Sequence, residues 1–328
     1  MIQKISIVTP SFNQGEYIEE TIDSVLSQNY PNLEYIIIDG GSTDQSVEII
    51  KKHEKHLTYW ESKKDSGQSH AINKGLALCT GDIFNWLCSD DLLCNNTLIT
   101  IGDLFKSGDI DIVMGATESL FSNGTKMRSP QNPLMRNSNE TAANRYISQP
   151  STFFKKSIFD ELGYLSENLH YLMDNEVWIK YLLKHGQGRV IHTEKALSTY
   201  RIHENSKSNL EMDNSRTGFQ SKFQIDKNSI AYSIAKQLGF EQQASFIKKL
   251  TSNLTSNYQF EFDVHKHLKN CVEYINYYLV DFAQKSFYSG EFKRCNTALK
   301  GVIKTELIGK ELESYNYLKR KLKLKLIF

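Results

Sequence analysis

Four short apolar runs near the amino terminus each end in polar or acidic residues, with helix-period segments between them. Residues 5–10 (ISIVTP) are β-branched and close on proline, and residues 33–38 (LEYIII) deliver Asp39. Residues 57–61 lead toward Asp65, and residues 83–87 (IFNWL) end at Cys88, Ser89, Asp90 and Asp91. Short, continuous apolar strands are buried on both faces, as in a parallel sheet. The intervening segments predict helices: Ile18, Ile22, Val25 and Leu26 share one face of the first, a second runs through Lys52, and a third covers 69–78. Strand alternating with helix argues a parallel α/β sheet.

Beyond residue 110 the pattern changes. Residues 111–117 and 125–128 predict strands around an Asn123-Gly124 turn, a hairpin signal. Further strands are predicted over 151–154, 189–192 and 196–201, with a helix over 176–185, which makes the sheet mixed. After residue 213 helical patterns take over, broken near Gly239, Ser256 and Gly290; residues 274–285 and 291–303 form a predicted helical hairpin. The expected organisation is an α/β domain over 1–210 and a helical region over 211–328.

Charge follows the same division. The whole chain carries a net charge of only +1, which gives no case for a nucleic-acid binder. Residues 211–328, however, hold nineteen Lys and Arg against twelve Asp and Glu. Residues 319–328 contain five cations, and their Lys-Leu alternation has period two, which is not a helical amphipathic face; Tyr315, Leu318 and Leu322 upstream share one. Five cysteines with no CxxC pair argue against a disulfide framework or a zinc site and fit a reducing cytoplasm. No window reaches the ~18–20 apolar residues that cross a bilayer. The expected location is cytoplasmic, with the basic tail peripheral on the inner membrane face.

In an open α/β sheet, ligands bind outside the carboxyl ends of the strands. Here Thr9 to Asn13, Asp39, Asp65 and Asp90-Asp91 all collect at one such edge. Adjacent carboxylates repel unless a cation joins them, and hard divalent ions such as Mg²⁺ or Mn²⁺ share oxygen ligands with phosphates. The bland alternative makes Asp90 the cap of a helix starting near Leu92. A dinucleotide enzyme is disfavoured because GxGxxG is absent.

The segments SIVTPSFNQGEYIEETIDSVLSQNYPNLEYIIIDGGSTD, KKDSGQSHAINKG, GDIFNWLCSDD, QPSTFFKKSIFDELGYLSENLHYLMDNEVWIKYL and YRIHENSKS, in this order over residues 4–208, resemble family 2 glycosyltransferases of the GT-A fold. The tail beyond residue 213 resembles nothing recognised. The resemblance implies a Rossmann-like α/β fold, a nucleoside diphosphate sugar as donor (a UDP-sugar foremost) and a divalent metal, Mn or Mg. It implies that Pro10, Ser11 and Phe12 line the nucleobase, that Asp39 meets the base, and that Asp65 sits by the nucleoside. Asp90 then faces the ribose, Asp91 holds the metal on the diphosphate, and His203 matches a position that adds a ligand in some members. The general base comes from LMDNEVW, where Met173 replaces the family's glutamate: Asp174 is the expected base and Glu176 its rival.

By the same resemblance the acceptor is a glycan or lipid-linked hydroxyl of a growing cell-surface polysaccharide. The helical tail then serves acceptor binding, dimerisation to a homodimer, or membrane docking. Residues 129–148 are expected to form a mobile acceptor-side loop. His70 reads as a surface helix residue rather than a donor-sugar contact, Lys74 as a phosphate neighbour or a solvated lysine, and Trp86 and Trp178 as core. Two alternatives stand beside the leading one. A nucleotidyltransferase needs a glycine-rich basic loop after the first strand, which PSFNQGEY lacks. A catalytically silent sugar-nucleotide-binding scaffold is the other, against which Asp90, Asp91 and Asp174 argue.

Overall fold

The computed structural model describes residues 2–106, 108–128, 134–144, 147–204, 206–207, 221–307 and 309–325. They fall into two compact units. The first comprises 1–133, 147–167 and 188–209; the second comprises 134–146, 168–187 and 210–328. Where a single boundary after residue 210 was expected, the second unit also takes in two segments from within the α/β region.

In chain order the first unit begins β1 (Ile5–Ser11), α1 (Ile18–Leu26), β2 (Leu33–Asp39), α2 (Ser46–His53), β3 (Tyr59–Ser62), α3 (Gln68–Leu78) and β4 (Ile83–Trp86). It continues with β5 (Leu92–Leu93), α4 (Thr97–Lys106), β6 (Ile112–Phe121) and β7 (Lys126–Arg128). After α5 (Ser138–Asn144), which belongs to the second unit, come β8 (Thr152–Lys155) and α6 (Ser157–Leu162), and after α7 (Met173–His185) of the second unit comes β9 (Val190–Ile202). The strands form one sheet in the order β3-β2-β1-β4-β8-β6-β9-β5, with β7 on β6. β3, β2, β1 and β4 are mutually parallel, whereas β8 pairs antiparallel with both β4 and β6. The sheet is therefore mixed, as the change of pattern near residue 110 implied.

Alternation along β1 places Ile5 and Ile7 in a core with Ile18, Ile22 and Val25 of α1, Ile49 and Ile50 of α2, and Leu98 and Ile101 of α4. On the opposite face α3 lies so close that a Cβ on Gly75 would stand 2.5 Å from Val8 Cγ1. There Trp86 stacks on Phe154 at 6.1 Å and meets the edge of Phe159. Helices thus cover both faces, and the first four strands point their carboxyl ends the same way.

Three local expectations change. Residues 189–192 and 196–201 are one strand, β9, whose pairing with β6 slips between Met114 and Thr117. Leu92 and Leu93 form a short strand antiparallel to β9, so Asp90 caps no helix there. Residues 138–144 of the expected mobile loop are helix α5, with five buried residues; 129–133 and 145–146 lie outside the described residues.

The second unit continues with α8 (Lys222–Gln237), α9 (Glu241–Lys248), α10 (Leu268–Tyr288), α11 (Phe292–Gly301) and α12 (Gly309–Lys325). α10 is its apolar axis, packing against α5, α11 and α12, and Gly290 at φ 77° lets the predicted hairpin turn into α11. α12 is helical to Lys325 despite its Lys-Leu alternation, because Leu318 and Leu322 anchor one face while the cations project outward. Residues 326–328 of the basic tail lie outside the described residues. Among the described residues no helix is long and apolar enough to cross a membrane.

Candidate functional site

The expected donor-side residues all belong to the first unit and collect at the carboxyl edge of its parallel strands. Ser11, Asp39 and Ser62 stand in register across β1, β2 and β3. Asp39 is fully buried and organises the loop that follows it. Its Oδ2 accepts from Ser62 Oγ at 2.6 Å, Ser42 N at 2.8 Å and Gly41 N at 3.1 Å, and its Oδ1 accepts from Ser42 Oγ at 2.5 Å. A carboxylate receiving several donors preorganises a turn that carries no regular secondary structure.

That turn is stapled to the one after β1. Asn13, at φ 51°, donates its N–H to Ser42 Oγ at 2.7 Å, while its Oδ1 accepts from Thr43 N at 2.9 Å. Gly15 N donates to Asp44 Oδ2 at 2.8 Å; a Cβ on Gly15 would stand 2.5 Å from Gln45 Cγ, so only glycine permits this approach. Between the two loops Phe12 is 59% exposed. Pro10 and Ser11 before it are buried, and the Ser11 hydroxyl finds no hydrogen-bond partner among the described residues. A buried, unsatisfied hydroxyl at a strand end costs on the order of 1–3 kcal/mol unless a ligand or water completes it. Asp65 lies across the side-chain-free face of Gly40, whose Cβ would come within 3.0 Å of its Oδ2, and its Oδ1 accepts from Gly67 N at 2.9 Å.

The acidic turn follows β4. Asp91 N donates to Cys88 O at 3.0 Å, and Thr21 Oγ1 of α1 holds the turn through the carbonyls of Ser89 and Asp91, each at 2.9 Å. From the other side β9 supplies Arg201, whose backbone N–H donates to Asp91 Oδ1 at 3.1 Å and whose Nε donates to Asp90 O at 3.1 Å. The Arg201 guanidinium is committed to Glu20 at 2.5 Å and stacks over Tyr17. His203 Nε2 lies 3.1 Å from Asp90 Oδ2, and its ring packs 4.6 Å from that of Tyr17.

Asp91 is 2% exposed. Burial first, and the neighbouring Asp90 second, push its carboxyl well above the usual carboxylate range. The Cys88 thiol and one carboxylate oxygen from each of Asp90 and Asp91 lie within 4.8 Å of one another. Two carboxylates this close, one of them buried, form a donor set that a hard divalent cation fits. The spacing of the five cysteines does not reveal Cys88 as part of this cluster; its position in CSDD, directly beside the acids, is the available signal. Gln68 Nε2 of α3 donates to the Cys88 sulfur at 3.2 Å, and Lys207 donates to Gln68 Oε1 at 3.1 Å.

Other singled-out residues are accounted for by packing and pairing. Lys74 pairs with Glu61 of β3, which Lys63 also approaches at 3.0 Å. His70 Nδ1 is 3.3 Å from Glu167 on the loop that Asn73 fastens through Leu165. Trp86 and Trp178 are buried, as expected of core.

Asp174 and Glu176 belong to the second unit, in the first turn of α7, which begins three residues earlier than expected. Asp174 is partly exposed, with Oδ1 accepting from Asn175 N at 2.7 Å. Glu176 is 1% exposed and is gripped by Tyr258 OH at 2.9 Å and Lys180 Nζ at 3.3 Å.

The family model described as Glycosyl transferase family 2 matches residues 6–163. An uncharacterized glycosyltransferase of Rickettsia typhi is 28% identical over 186 residues, covering 54% of this chain and 58% of that protein. TuaG of Bacillus subtilis, named for teichuronic acid biosynthesis, is 41% identical over 92 residues, covering 26% of this chain and 36% of its own. The chain thus spans little more than half, or less, of these relatives. Among solved structures, Staphylococcus aureus TarS 1–349 in complex with UDP-GlcNAc aligns with a TM-score of 0.60 at 16% identity, over 98% of this chain and 92% of that one. The mannosyltransferase PcManGT of Pyrobaculum calidifontis, in complex with GDP-Man and Mn²⁺, aligns with a TM-score of 0.51 at 16% identity, over 99% and 81%. The acidic turn after β4, the two stapled loops and these matches converge: the chain carries a GT-A fold, and its residues 6–163 belong to glycosyltransferase family 2.

Proposed function

We propose that the chain is an inverting glycosyltransferase that moves a sugar from a nucleoside diphosphate donor, a UDP-sugar, to a hydroxyl of a growing cell-surface glycan or its lipid-linked precursor. The observation that carries this reading is the turn after β4, where Asp91 is buried beside Asp90 and, among the described residues, no cationic side chain is bonded to its carboxylate. Folding alone disfavours that arrangement; a cation-bearing diphosphate explains it. The Asp91 carboxylate and His203, whose Nε2 stands 3.1 Å from Asp90 Oδ2, would hold the metal, and Asp90 would face the ribose. When bound, the divalent cation neutralises the charge that a departing diphosphate gains. Pro10, Ser11 and Phe12 line the nucleobase, for which exposed Phe12 offers a stacking face and Ser11 an unused hydroxyl, while Asp39 and Asp65 shape the nucleoside side.

Asp174 takes the proton of the acceptor hydroxyl. That oxygen bonds to the anomeric carbon as the bond to the diphosphate breaks on the opposite face, and configuration inverts. The burial of Glu176 between Tyr258 and Lys180 favours Asp174 over its rival. We further assign the chain to the cytoplasm, where five free thiols persist, with the cations of α12 against the inner membrane face; sedimentation with anionic vesicles at low salt tests this, and full recovery in the supernatant overturns it. A homodimer formed through the helical region completes the reading.

The decisive experiment is a thermal-shift series with UDP, GDP, dTDP and CMP, each with and without Mn²⁺, on the wild type and Asp91→Ala. A nucleotide at 100 times its dissociation constant adds about 2.7 kcal/mol. The expected result is a shift with UDP that needs both Mn²⁺ and Asp91. No shift with any nucleotide overturns the donor site.

A further inference from the structure

The helical region beyond the family-matched residues 6–163 grips the segment leading into α7. α7 has no side-chain cap of its own, because its N-cap residue is Leu172. The first amides of a helix have no intrahelical acceptor, and something must satisfy them when they are buried. Just ahead of those first-turn amides, the N–H groups of the N-cap residue Leu172 and of Tyr171 before it are accepted by a side chain of another helix. Asp226, in the first half of α8 and 4% exposed, accepts from Tyr171 N at 2.8 Å and Leu172 N at 3.3 Å through Oδ2. Its Oδ1 accepts from Thr255 Oγ1 at 2.7 Å, and Thr255 N donates to Ser229 Oγ of α8 at 2.8 Å. Lys222 Nζ donates to Tyr171 OH at 3.1 Å, Phe223 meets the Tyr171 ring edge-on, and Tyr258 fixes Glu176 one turn further along. Asp174 lies between these two anchored points.

We infer that Asp226 is a positioning residue for the reaction: by accepting the Tyr171 and Leu172 amides, it anchors the two residues that lead into α7, and so fixes its first turn and the line along which the Asp174 carboxylate meets the acceptor hydroxyl. This rests on Asp174 being the base. The chemistry suits the task. A carboxylate at a helix N-terminus is held both by the amide bonds and by the helix dipole, and neither is matched by a water molecule. Burial keeps the clamp rigid, and Thr255 prevents the carboxylate from turning. A clamp of this kind affects the rate of proton transfer without touching donor binding, because a displacement of about 1 Å at a reacting group costs on the order of 100-fold in rate.

The test uses the full chain with Asp226→Ala, Asp226→Asn, Thr255→Val and Asp174→Asn. Two quantities are read: amide hydrogen exchange across residues 171–176, and steady-state release of UDP from UDP-GlcNAc and UDP-glucose with water as the acceptor. The expected result for Asp226→Ala is faster exchange confined to 171–176 and a fall in kcat of about 10- to 100-fold, with the KM for donor within twofold. Asp226→Asn, which keeps an acceptor oxygen, restores most of kcat, and Thr255→Val gives an intermediate loss. Unchanged exchange, unchanged kcat, or parallel losses of kcat and donor KM overturn the inference. If Asp226→Ala does not fold, the ordering of the Asn and Val variants decides the matter in the same way. Asp174→Asn separates the two readings: retained turnover there overturns the base assignment itself, as does a wild type that releases no UDP, whereas an inactive Asp174→Asn beside a fully active Asp226→Ala overturns only the clamp.

Discussion

His203 Nε2 and Asp90 Oδ2 lie 3.1 Å apart, joining the end of β9 to the turn after β4. The imidazole is only 9% exposed and is wedged against Tyr17, so its orientation is set before any ligand arrives. A ring fixed this way either ligates a cation or orients the carboxylate that faces one, and outer partners of metal sites are commonly worth about 10- to 100-fold in affinity. His203→Ala is therefore expected to weaken Mn²⁺ binding in the presence of UDP by about 10-fold or more, measured by calorimetric titration, with the melting temperature of the nucleotide-free protein nearly unchanged. An unaltered Mn²⁺ affinity removes His203 from the site.

Asp91 presents the opposite balance between function and stability. Its carboxylate is buried beside Asp90 and is pushed toward the neutral form by that burial. Replacing it with asparagine removes a charge that the fold disfavours while keeping an oxygen for the Arg201 N–H. Asp91→Asn is expected to unfold at the same temperature as the wild type or a few degrees higher near neutral pH, and to lose the Mn²⁺-dependent stabilisation by UDP. A variant destabilised by several kcal/mol makes Asp91 a structural residue instead.

The first unit was legible because its signals are local. Apolar runs such as 33–38 state their burial directly, and Asp39, Asp65, Asp90 and Asp91 collect at one edge because parallel strands share a direction. What escaped was set by distance in the sequence. Nothing near Leu92 shows that it pairs with Thr199, more than a hundred positions away, so a helix was a reasonable bland reading and a strand is what forms. Arg201 shapes the acidic turn through its backbone N–H, a contribution that no side-chain motif encodes. At the Lys-Leu end of α12 two patterns compete, a period-two alternation and the helical face shared by Leu318 and Leu322; burial of those two leucines decides for the helix, which no local spacing reveals. Asp226 looks like any helix acid until Tyr171 and Leu172 are seen to donate to it.

Acid stability offers a test away from the site. Glu34 of β2 accepts from Lys4 Nζ, Ser6 Oγ and Thr80 at both its N–H and hydroxyl, tying β1 to β2 and to the turn before β4. Burial favours its neutral form, but these donors outweigh burial and hold its pKa at about 2, against an ordinary 4.5. A depressed carboxylate contributes stability that is complete above pH ~4.5 and is lost as pH falls toward 2, in total roughly 3 kcal/mol. Urea unfolding of Glu34→Gln is expected to show lower stability than the wild type at pH 7 and a flatter dependence between pH 4.5 and 2. Parallel acid limbs for the two proteins refute the assignment.

Gly75 and Val8 couple the fold to the donor edge. A methyl group at Gly75 would stand 2.5 Å from Val8 Cγ1 and 2.9 Å from Cγ2, inside α3 and against β1, where Val8 is fully buried. Alanine in place of glycine within a helix usually gains about 1 kcal/mol. Here the overlap is expected to exceed that gain, because overpacking costs about 1–3 kcal/mol and strand β1 cannot retreat without breaking its ladders to β2 and β4. Gly75→Ala should therefore be destabilising. It should also weaken UDP binding, since the displaced strand carries Pro10 and Ser11 at its end. Val8→Ala alone opens a cavity and costs stability as well, but the double variant should recover part of both losses, giving a coupling energy of about 1 kcal/mol or more in a double-mutant cycle. Additive effects on stability would mean that α3 shifts away from the sheet rather than pressing on β1, and UDP affinity would then be unaffected by either substitution.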